Sequence, residues 1–207
     1  RWCNGLPGSV QRTNAAVALG MIESLRELGW AIQDQAISRG FSEARWLGRL
    51  QRARWRGHPL ILDGAHNPPA AAALRAERDQ LGDGPIHWVI GILASKQAPE
   101  MLEALLAPQD RAWIVPVSGH GSWGAQALAA ACPALADKLK AAGDLAAALT
   151  DATGSSQNSI RPVIVTGSLY LLGDLLARAD LDQSELPPPP CDPFPCPGGG
   201  SSGATGG

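Results

Sequence analysis

Residues 63–68 of "LILDGAHNPP" place a carboxylate, an imidazole and an amide directly after an apolar run. Ligands of open α/β sheets bind beyond the carboxyl ends of strands, and a helix N-terminus favours anions. Asp63 and His66 are therefore candidates for contact with a charged ligand. The alternative is that Asp63 and Asn67 only cap the following helix, with His66 on the surface.

Residues 46–51, "WLGRLQ", form a second candidate cluster. Gly48 directly before Arg49 suggests a tight turn that aims the guanidinium, and a guanidinium suits bidentate contact with phosphate. The alternative is that Arg49 is one solvated charge among several arginines.

Two further motifs place polar side chains at helix starts. In "VIVTGSLYLLGDLL", residues 163–176, a strand leads into Ser168 and then a helix. In "LPGSVQRTNAAVAL", residues 6–19, Gln11 and Asn14 open a helix. Helix-capping roles remain the alternative for each. The segment "SGHGSWG", residues 118–124, has no G-K-[ST], and we interpret it as a plain flexible loop.

The composition favours a soluble globular protein and argues against several partners. Of 207 residues, 17% are charged and 45% hydrophobic, and the net charge is −2. This balance predicts neither a nucleic-acid surface nor a membrane patch. No apolar run approaches the ~18 residues that span a bilayer, and the N-terminus does not resemble a signal peptide. The cysteines lack the paired spacing of a zinc site, so we expect free thiols and no metal at Cys3, Cys132, Cys191 and Cys196.

The spacing of apolar residues predicts which elements position these motifs. We expect helices over residues 11–28, 33–39, 68–81, 98–106, 125–131, 134–142, 145–150 and 169–177. Strands are expected over residues 50–55, 59–62, 86–93, 112–117 and 162–166, with a turn at 56–58. Apolar strands separated by helices indicate an α/β fold with a parallel sheet covered on both faces.

Two segments are expected to lack regular structure. The end of the chain, "LPPPPCDPFPCPGGGSSGATGG", combines a polyproline stretch with glycine and serine, which predicts a disordered tail. Residues 155–159 are expected to form a short flexible loop.

Taken in order, the motifs resemble the folylpolyglutamate synthase and dihydrofolate synthase branch of the Mur-type ligases. That family shows L-x-G-x-H-Q-x-x-N-A, W-x-G-R-L, D-G-A-H-N-P and V-T-G-S-L-Y-L-x-G. The corresponding stretches here are residues 6–15, 46–50, 63–68 and 165–173, and the resemblance covers residues 6 to 177.

The resemblance implies a fold and a domain organisation. Residues 45–179 are expected to form the Mur ligase C-terminal domain, a Rossmann-like, mostly parallel sheet with helices on both faces. Residues 1–44 are expected to be the last helices of the central ATP-binding domain, and residues 180–207 the Pro/Gly-rich tail. The P-loop and magnesium ligands are then expected outside this chain, which has no G-K-[ST], and the chain alone is expected to be inactive.

The resemblance also implies an activity and a site. ATP, with Mg²⁺, phosphorylates a folate or dihydropteroate carboxylate, and L-glutamate attacks the acyl phosphate to form an amide. Asn14 is expected at the adenine end, Arg49 at phosphate and Asp63 at the ribose. His66 and Ser168 are the expected catalytic residues on the glutamate side. The implied protein is a cytoplasmic monomer without nucleic-acid or membrane partners.

The sequence departs from the family pattern at three positions. Val10 replaces a histidine, and Ser95 and Gln97 replace both acids of G-x-x-x-D-K-D, while Lys96 is kept. Another Mur-type amide ligase and a non-catalytic nucleotide-binding remnant remain alternatives. The choice between dihydropteroate and tetrahydrofolate as acceptor also stays open.

Overall fold

The computed structural model describes residues 2–78, 84–154, 163–184 and 193–194. The chain divides into two compact units, one of Arg1–Trp46 with Pro188–Gly207 and one of Leu47–Pro187. The predicted loop at 155–159 lies outside the described residues.

Helices and strands alternate along most of the described chain. In chain order they are β1 (Trp2–Cys3), α1 (Ser9–Glu27), α2 (Asp34–Glu43), β2 (Gln51–Trp55), β3 (His58–Leu62), α3 (Pro68–Ala76), β4 (His87–Ile90), α4 (Ala98–Leu105), β5 (Arg111–Ile114), α5 (Ala125–Ala131), β6 (Leu139–Ala141), α6 (Leu145–Gly154), β7 (Val163–Thr166), α7 (Leu169–Leu176), β8 (Leu181–Asp182) and β9 (Pro193–Phe194).

The first unit is built on two helices. Ala15 and Leu19 of α1 and Ile37 of α2 form its buried core. Strands β1 and β9 pair antiparallel, with Trp2 opposite Phe194. The prediction of a structureless tail is therefore corrected at Pro193–Phe194, which gain backbone partners in β1.

The second unit contains a seven-stranded sheet in the order β6-β5-β4-β7-β3-β2-β8. Strands β6, β5, β4, β7 and β3 are parallel to one another, whereas β2 is antiparallel to β3 and to β8. The prediction of a mostly parallel α/β sheet is confirmed.

Both faces of this sheet are buried, because successive residues of its central strands belong to different apolar clusters. In β4, Trp88 and Ile90 pack with residues of α3 and α4, whereas Val89 packs with residues of α6 and α7. Side chains alternate across a strand, so a strand that is apolar throughout must be covered on both sides.

The hairpin of β2 and β3 has a two-residue turn. Arg56 has a φ of 49° and Gly57 a φ of 82°, and Trp55 pairs with His58 across the turn. Two successive left-handed residues are typical of the type I′ turn, whose twist matches that of the strands. The turn predicted at 56–58 is therefore shorter by one residue, because His58 already belongs to β3.

The predicted helix at 134–142 is wrong. Pro133–Lys138 form a 3₁₀ helix, and Leu139–Ala141 form the edge strand β6, which pairs with β5. Leu139 packs against one of the apolar clusters of the sheet, and backbone bonding to β5 outweighs the helix propensity of the alanines.

The predicted start of the tail at residue 180 is also corrected. Leu181 is buried and pairs with Trp55, so β8 extends the sheet. Just before it, Asp180 accepts hydrogen bonds from Arg178 and Arg56. An apolar side chain and an ion pair thus hold a segment that composition alone assigned to the tail.

Asp110, directly before β5, connects several elements of the second unit. Its fully buried carboxylate accepts two hydrogen bonds from Arg78, at 3.0 and 2.9 Å, and one from the Trp88 indole at 3.0 Å. The backbone N–H groups of Ile86 and Ala107 also donate to it, each at 2.9 Å. Nothing in the sequence singled out this residue.

Candidate functional site

The topology brings three of the predicted motifs to one edge of the sheet. Strands β3 and β7 are adjacent and parallel, so the segments after Leu62 and after Thr166 leave the same edge. Strand β2 runs in the opposite direction, with Gln51 opposite Leu62, so β2 begins at that edge and the segment that precedes it lies there too. Arg49, Asp63 and Ser168 therefore lie around the carboxyl ends of the parallel strands, where α/β sheets bind ligands.

The segment before β2 is a tight turn with two left-handed residues, Gly48 at φ 69° and Leu50 at φ 45°. The backbone N–H of Gly64 donates to the carbonyl oxygen of Gly48 at 2.8 Å. A Cβ at Gly48 would lie 2.7 Å from Leu172 Cδ1, so only glycine fits there without a shift.

Asp63 closes this arrangement from the end of β3. Leu50 N donates to its Oδ2 at 3.1 Å and Ala65 N to its Oδ1 at 3.0 Å. The residue is only 8% exposed. Both carboxylate oxygens therefore hold backbone, and each keeps a second lone pair for a further donor.

The charge of Asp63 is affected by opposing influences. Burial raises the pKa of its carboxyl above the ordinary value, and the hydrogen bonds from Leu50 and Ala65 with the charge of Arg49 offset part of that rise. The charge of Glu77 raises this pKa further.

Arg49 lies between the two left-handed residues of the turn and is partly buried. Among the described residues, its guanidinium forms neither a hydrogen bond nor an ion pair. A guanidinium offers five N–H donors in a planar fork, so Arg49 presents an unused anion-binding group at this edge.

The turns after β3 and β7 are joined directly. Gly167 N donates to the carbonyl oxygen of Ala65 at 3.0 Å. In the first turn, the Nδ1 of His66 lies 2.8 Å from the carbonyl oxygen of Gly64. Because that oxygen only accepts, Nδ1 carries the proton, and Nε2 is the ring nitrogen left for another partner.

Ser168 and Asn67 are the N-caps of two helices. Ser168 Oγ accepts from Tyr170 N at 3.1 Å at the start of α7, and Asn67 Oδ1 accepts from Ala70 N at 2.9 Å at the start of α3. The capping interpretation is therefore correct for both side chains. The hydroxyl of Ser168 keeps its own proton for donation, although the residue is only 2% exposed.

The backbone conformation of Gly167 determines the position of Ser168, the next residue. The φ of Gly167 is 106°, and a Cβ there would lie 2.7 Å from the carbonyl oxygen of Gly91. Any other residue is therefore both strained and in collision with backbone. The T-G-S sequence has its glycine where the chain crosses the end of β4.

The loops after β4 and β5 are joined by backbone hydrogen bonds, which the sequence did not predict. Ala94 N donates to Gly121 O and Trp123 N to Ile92 O, each at 2.9 Å. His120, in the segment interpreted as a plain loop, stacks on Tyr170 with ring centroids 3.9 Å apart. An aromatic residue two positions after the T-G-S turn was the one available signal.

Asn14 belongs to the first unit. Its Nδ2 donates to Gln11 Oε1 at 3.1 Å. Both residues, with Asn4, line an otherwise largely apolar cavity of about 430 Å³ between α1 and α2.

The described residues contain neither a cluster of metal-binding side chains nor a membrane-spanning helix. No group of three or more His, Cys, Asp or Glu side chains there is placed to hold a metal ion. No helix in that part of the chain is long and apolar enough to cross a bilayer.

The mostly parallel sheet and the polar turns at its carboxyl edge define a Rossmann-like α/β domain. Residues 49–178 match the family described as the C-terminal domain of dihydrofolate synthetase. The chain belongs to this family, as its motifs predicted.

Relatives and solved structures agree with this assignment. The chain is 31% identical over 170 residues to a folylpolyglutamate synthase of Lacticaseibacillus casei, covering 80% of this chain and 37% of that protein. It is similar to Mycobacterium tuberculosis folylpolyglutamate synthase complexed with ADP, with a TM-score of 0.73 and 27% identity over 84% of this chain and 42% of that one.

A third similar protein is a bifunctional folylpolyglutamate synthase/dihydrofolate synthase with Mn, AMPPNP and L-glutamate bound. Its TM-score is 0.67, with 28% identity over 84% of this chain and 41% of that chain. The present chain thus spans about two fifths of the length of these proteins.

Proposed function

We propose that this chain is the C-terminal part of an ATP-dependent ligase that adds L-glutamate to the carboxylate of a folate or dihydropteroate through an acyl phosphate. Membership of the dihydrofolate synthetase family supports the reaction class. Similar proteins with ADP, or with Mn, AMPPNP and L-glutamate, support the substrates.

The proposal includes a division of the chain. Residues 1–44 are the end of the central ATP-binding domain, and residues 45–179, continued by β8, are the Mur ligase C-terminal domain. The family match at residues 49–178 supports the second of these spans.

ATP is bound by Asn14, Arg49 and Asp63. The guanidinium of Arg49, which is unpaired within the described part of the chain, suits a phosphate, and the remaining lone pairs of Asp63 suit the hydroxyls of a ribose. The amide of Asn14 offers the donor and acceptor that an adenine edge requires.

Glutamate is bound by His66 and Ser168. The observation that carries this assignment is the hydrogen bond from Gly167 N to Ala65 O, which joins the two turns that bear these side chains. Each turn leads into a helix, whose N–H groups favour a carboxylate. The Nε2 of His66 and the hydroxyl proton of Ser168 are the groups left for the amino acid.

The domain's contribution to the reaction is positioning and charge stabilisation. An acyl phosphate is a strong electrophile that water destroys, so the ligand edge must exclude water while it holds both reactants. The described residues offer no cluster for a divalent ion, so the Mg²⁺ that accompanies ATP is assigned no ligand from this part of the chain.

Variants of the complete ligase test the glutamate assignment. His66→Ala and Ser168→Ala each remove a hydrogen bond to a charged ligand, which corresponds to roughly a 10- to 100-fold rise in KM for glutamate. The KM for ATP is expected to stay within about 3-fold of wild type. Folate-dependent ATP consumption without glutamate should survive better than amide formation.

Asp144→Ala is the matched control for loss of a helix cap. Its Oδ1 accepts from Ala147 N at 2.8 Å at the start of α6, as Ser168 Oγ accepts from Tyr170 N. If Ser168→Ala changed the kinetics no more than Asp144→Ala does, or if both KM values rose equally, the glutamate assignment would be wrong.

The complete wild-type ligase also tests the identity of the acceptor and the oligomeric state. Assays with dihydropteroate and with tetrahydrofolate identify the acceptor, and absence of glutamate incorporation with either would overturn the proposed activity. From the family resemblance we also propose a cytoplasmic monomer, and light scattering tests the oligomeric state. The 207-residue chain alone is expected to be inactive, since it has no P-loop sequence.

A further inference from the structure

Gln51 has a contact that its sequence position did not suggest. It is the first residue of β2 and is only 3% exposed. Its Oε1 accepts a hydrogen bond from the backbone N–H of Gly48 at 2.9 Å. The side chain therefore folds back along the chain and closes the turn that precedes its own strand.

That turn is held at three separate points. The Gln51 side chain accepts a hydrogen bond from Gly48 N. Gly48 O accepts one from Gly64 N, and the Asp63 carboxylate accepts one from Leu50 N. Leu50 is not a glycine yet has a φ of 45°, a conformation that other contacts must maintain. The three hydrogen bonds supply those contacts.

These three hydrogen bonds fix the backbone on both sides of Arg49. It lies between Gly48 and Leu50, whose backbones are both fixed, and its own side chain is bonded to no other described residue. The Arg49 side chain is long and has many rotamers. The fixed backbone sets the direction of its Cα–Cβ bond, and this direction limits where the guanidinium can lie.

The two polar atoms of the Gln51 amide differ in their contacts, and only the oxygen has a hydrogen-bond partner among the described residues. The Nε2 is buried and has no hydrogen-bond partner in the described part of the chain. A buried donor without a partner costs stability, and an apolar side chain of similar size would avoid that cost. Packing therefore does not explain a glutamine here, whereas an acceptor for Gly48 N–H does. A glutamate would also accept, but would put a second buried negative charge close to Asp63.

We propose that Gln51 is a positioning residue for ATP, whose amide oxygen holds Gly48 and thereby aims Arg49 at the nucleotide phosphates. The proposal rests on the proposed function, in which Arg49 binds phosphate. It adds a residue that has no direct contact with the nucleotide and acts through the turn.

A double-mutant cycle in the complete ligase tests it. Gln51→Met removes the acceptor at nearly constant volume, and loss of one hydrogen bond predicts a rise in KM for ATP of roughly 3- to 10-fold. The KM for glutamate is expected to stay unchanged. In an Arg49→Ala background, Gln51→Met is expected to add no further rise, because its effect passes through Arg49.

Two controls separate positioning from general damage. Gln126→Met makes the same chemical change at an exposed position of α5 and is expected to be silent. Gln51→Asn is the second variant if Gln51→Met does not fold. Its amide is one methylene shorter and does not reach Gly48 N, so it too is expected to raise the KM for ATP.

The outcomes distinguish this proposal from the one on which it rests. If Arg49→Ala left the KM for ATP at its wild-type value, the assignment of Arg49 to phosphate would fail, and the Gln51 proposal with it. If Arg49→Ala raised that KM while a folded Gln51 variant did not, only the Gln51 proposal would be overturned. Full additivity in the double variant would overturn it as well.

Discussion

Leu50 and Asp63 are thirteen residues apart in the chain and are joined by a hydrogen bond of 3.1 Å from Leu50 N to Asp63 Oδ2. The other carboxylate oxygen accepts from Ala65 N at 3.0 Å. One side chain therefore connects the turn before β2 with the turn after β3. Its ionised form is the one that suits both contacts, because each oxygen must accept from an N–H.

Asp63→Asn is expected to break this connection although it keeps the size of the side chain. An asparagine has a single acceptor oxygen, and its NH₂ group would face one of the two backbone donors. The variant is expected to lose about 1–3 kcal/mol in free energy of unfolding, measured by urea denaturation, and to raise the KM for ATP. Asp174→Asn, on the exposed side of α7, is the control. An unchanged unfolding curve would show that the two backbone bonds do not depend on the charge.

The pH dependence of Asp63 is expected to have opposite signs for stability and for ATP affinity. Its pKa is raised by burial, so the folded state binds the proton more tightly than the unfolded chain, whose aspartate pKa is about 3.9. As the pH falls toward the raised pKa, protonation adds stability relative to Asp63→Asn, which does not titrate. The same proton occupies an oxygen that accepts from backbone, so the KM for ATP is expected to rise. Thermal unfolding and ATP kinetics of both proteins between pH 8 and about 4.5 measure the two trends.

If stability and ATP affinity fell together on acidification, with the same slope in Asp63→Asn, other groups would be responsible. Arg49 lowers and Glu77 raises the pKa of Asp63. Arg49→Ala is therefore expected to move the change in ATP affinity to higher pH.

Asp110→Asn is expected to cause a large loss of stability. The carboxylate is fully buried and accepts from the Arg78 guanidinium, the Trp88 indole and two backbone N–H groups. Removing one partner of a buried ion pair leaves the other charge uncompensated, which costs about 3–5 kcal/mol. Urea denaturation measures the loss, and Asp137→Asn, at an exposed position, is the control. A loss below about 1 kcal/mol would mean that the site relaxes around an uncharged side chain.

His120→Ala is expected to weaken glutamate use without a comparable effect on ATP. The His120 ring stacks on Tyr170 at 3.9 Å, and Tyr170 N is the donor that Ser168 Oγ accepts. Loss of an aromatic pair corresponds to about 0.5–1.5 kcal/mol, or roughly a 2- to 12-fold rise in KM for glutamate. His120→Phe keeps a ring and is expected to behave like wild type. Equal effects of the alanine and phenylalanine variants would indicate that the imidazole itself, and not the stack, is what matters.

The sequence was most informative where side-chain pattern and backbone requirement coincide. Apolar strands such as residues 163–166 predicted a sheet buried on both faces, and β7 is buried throughout. The order of four polar motifs predicted the family, and the topology brings three of them to one edge.

The sequence was least informative where the partner of a residue lies far away in the chain. The alanines of residues 134–142 favour a helix locally, but the edge of β5 captures Leu139–Ala141 as a strand. From the sequence alone, Asp110 looks like an ordinary turn residue. Its importance is seen only in the structure, where it accepts hydrogen bonds from Arg78 and Trp88. Gln51 and His120 gain their contacts only after the turns fold, so no local pattern distinguishes them.

The two-residue turn at Arg56–Gly57 limits which insertions this hairpin tolerates. Its length determines that Gln51 pairs with Leu62 at the opposite end, roughly 17 Å away along a five-residue strand. One added residue that is taken up by β2 and not by the turn would shift the pairing by one position and exchange the faces of β2. Leu50 would then no longer lie opposite Asp63. Homologous sequences that keep the ligand edge are thus expected to show little length variation at this exposed turn.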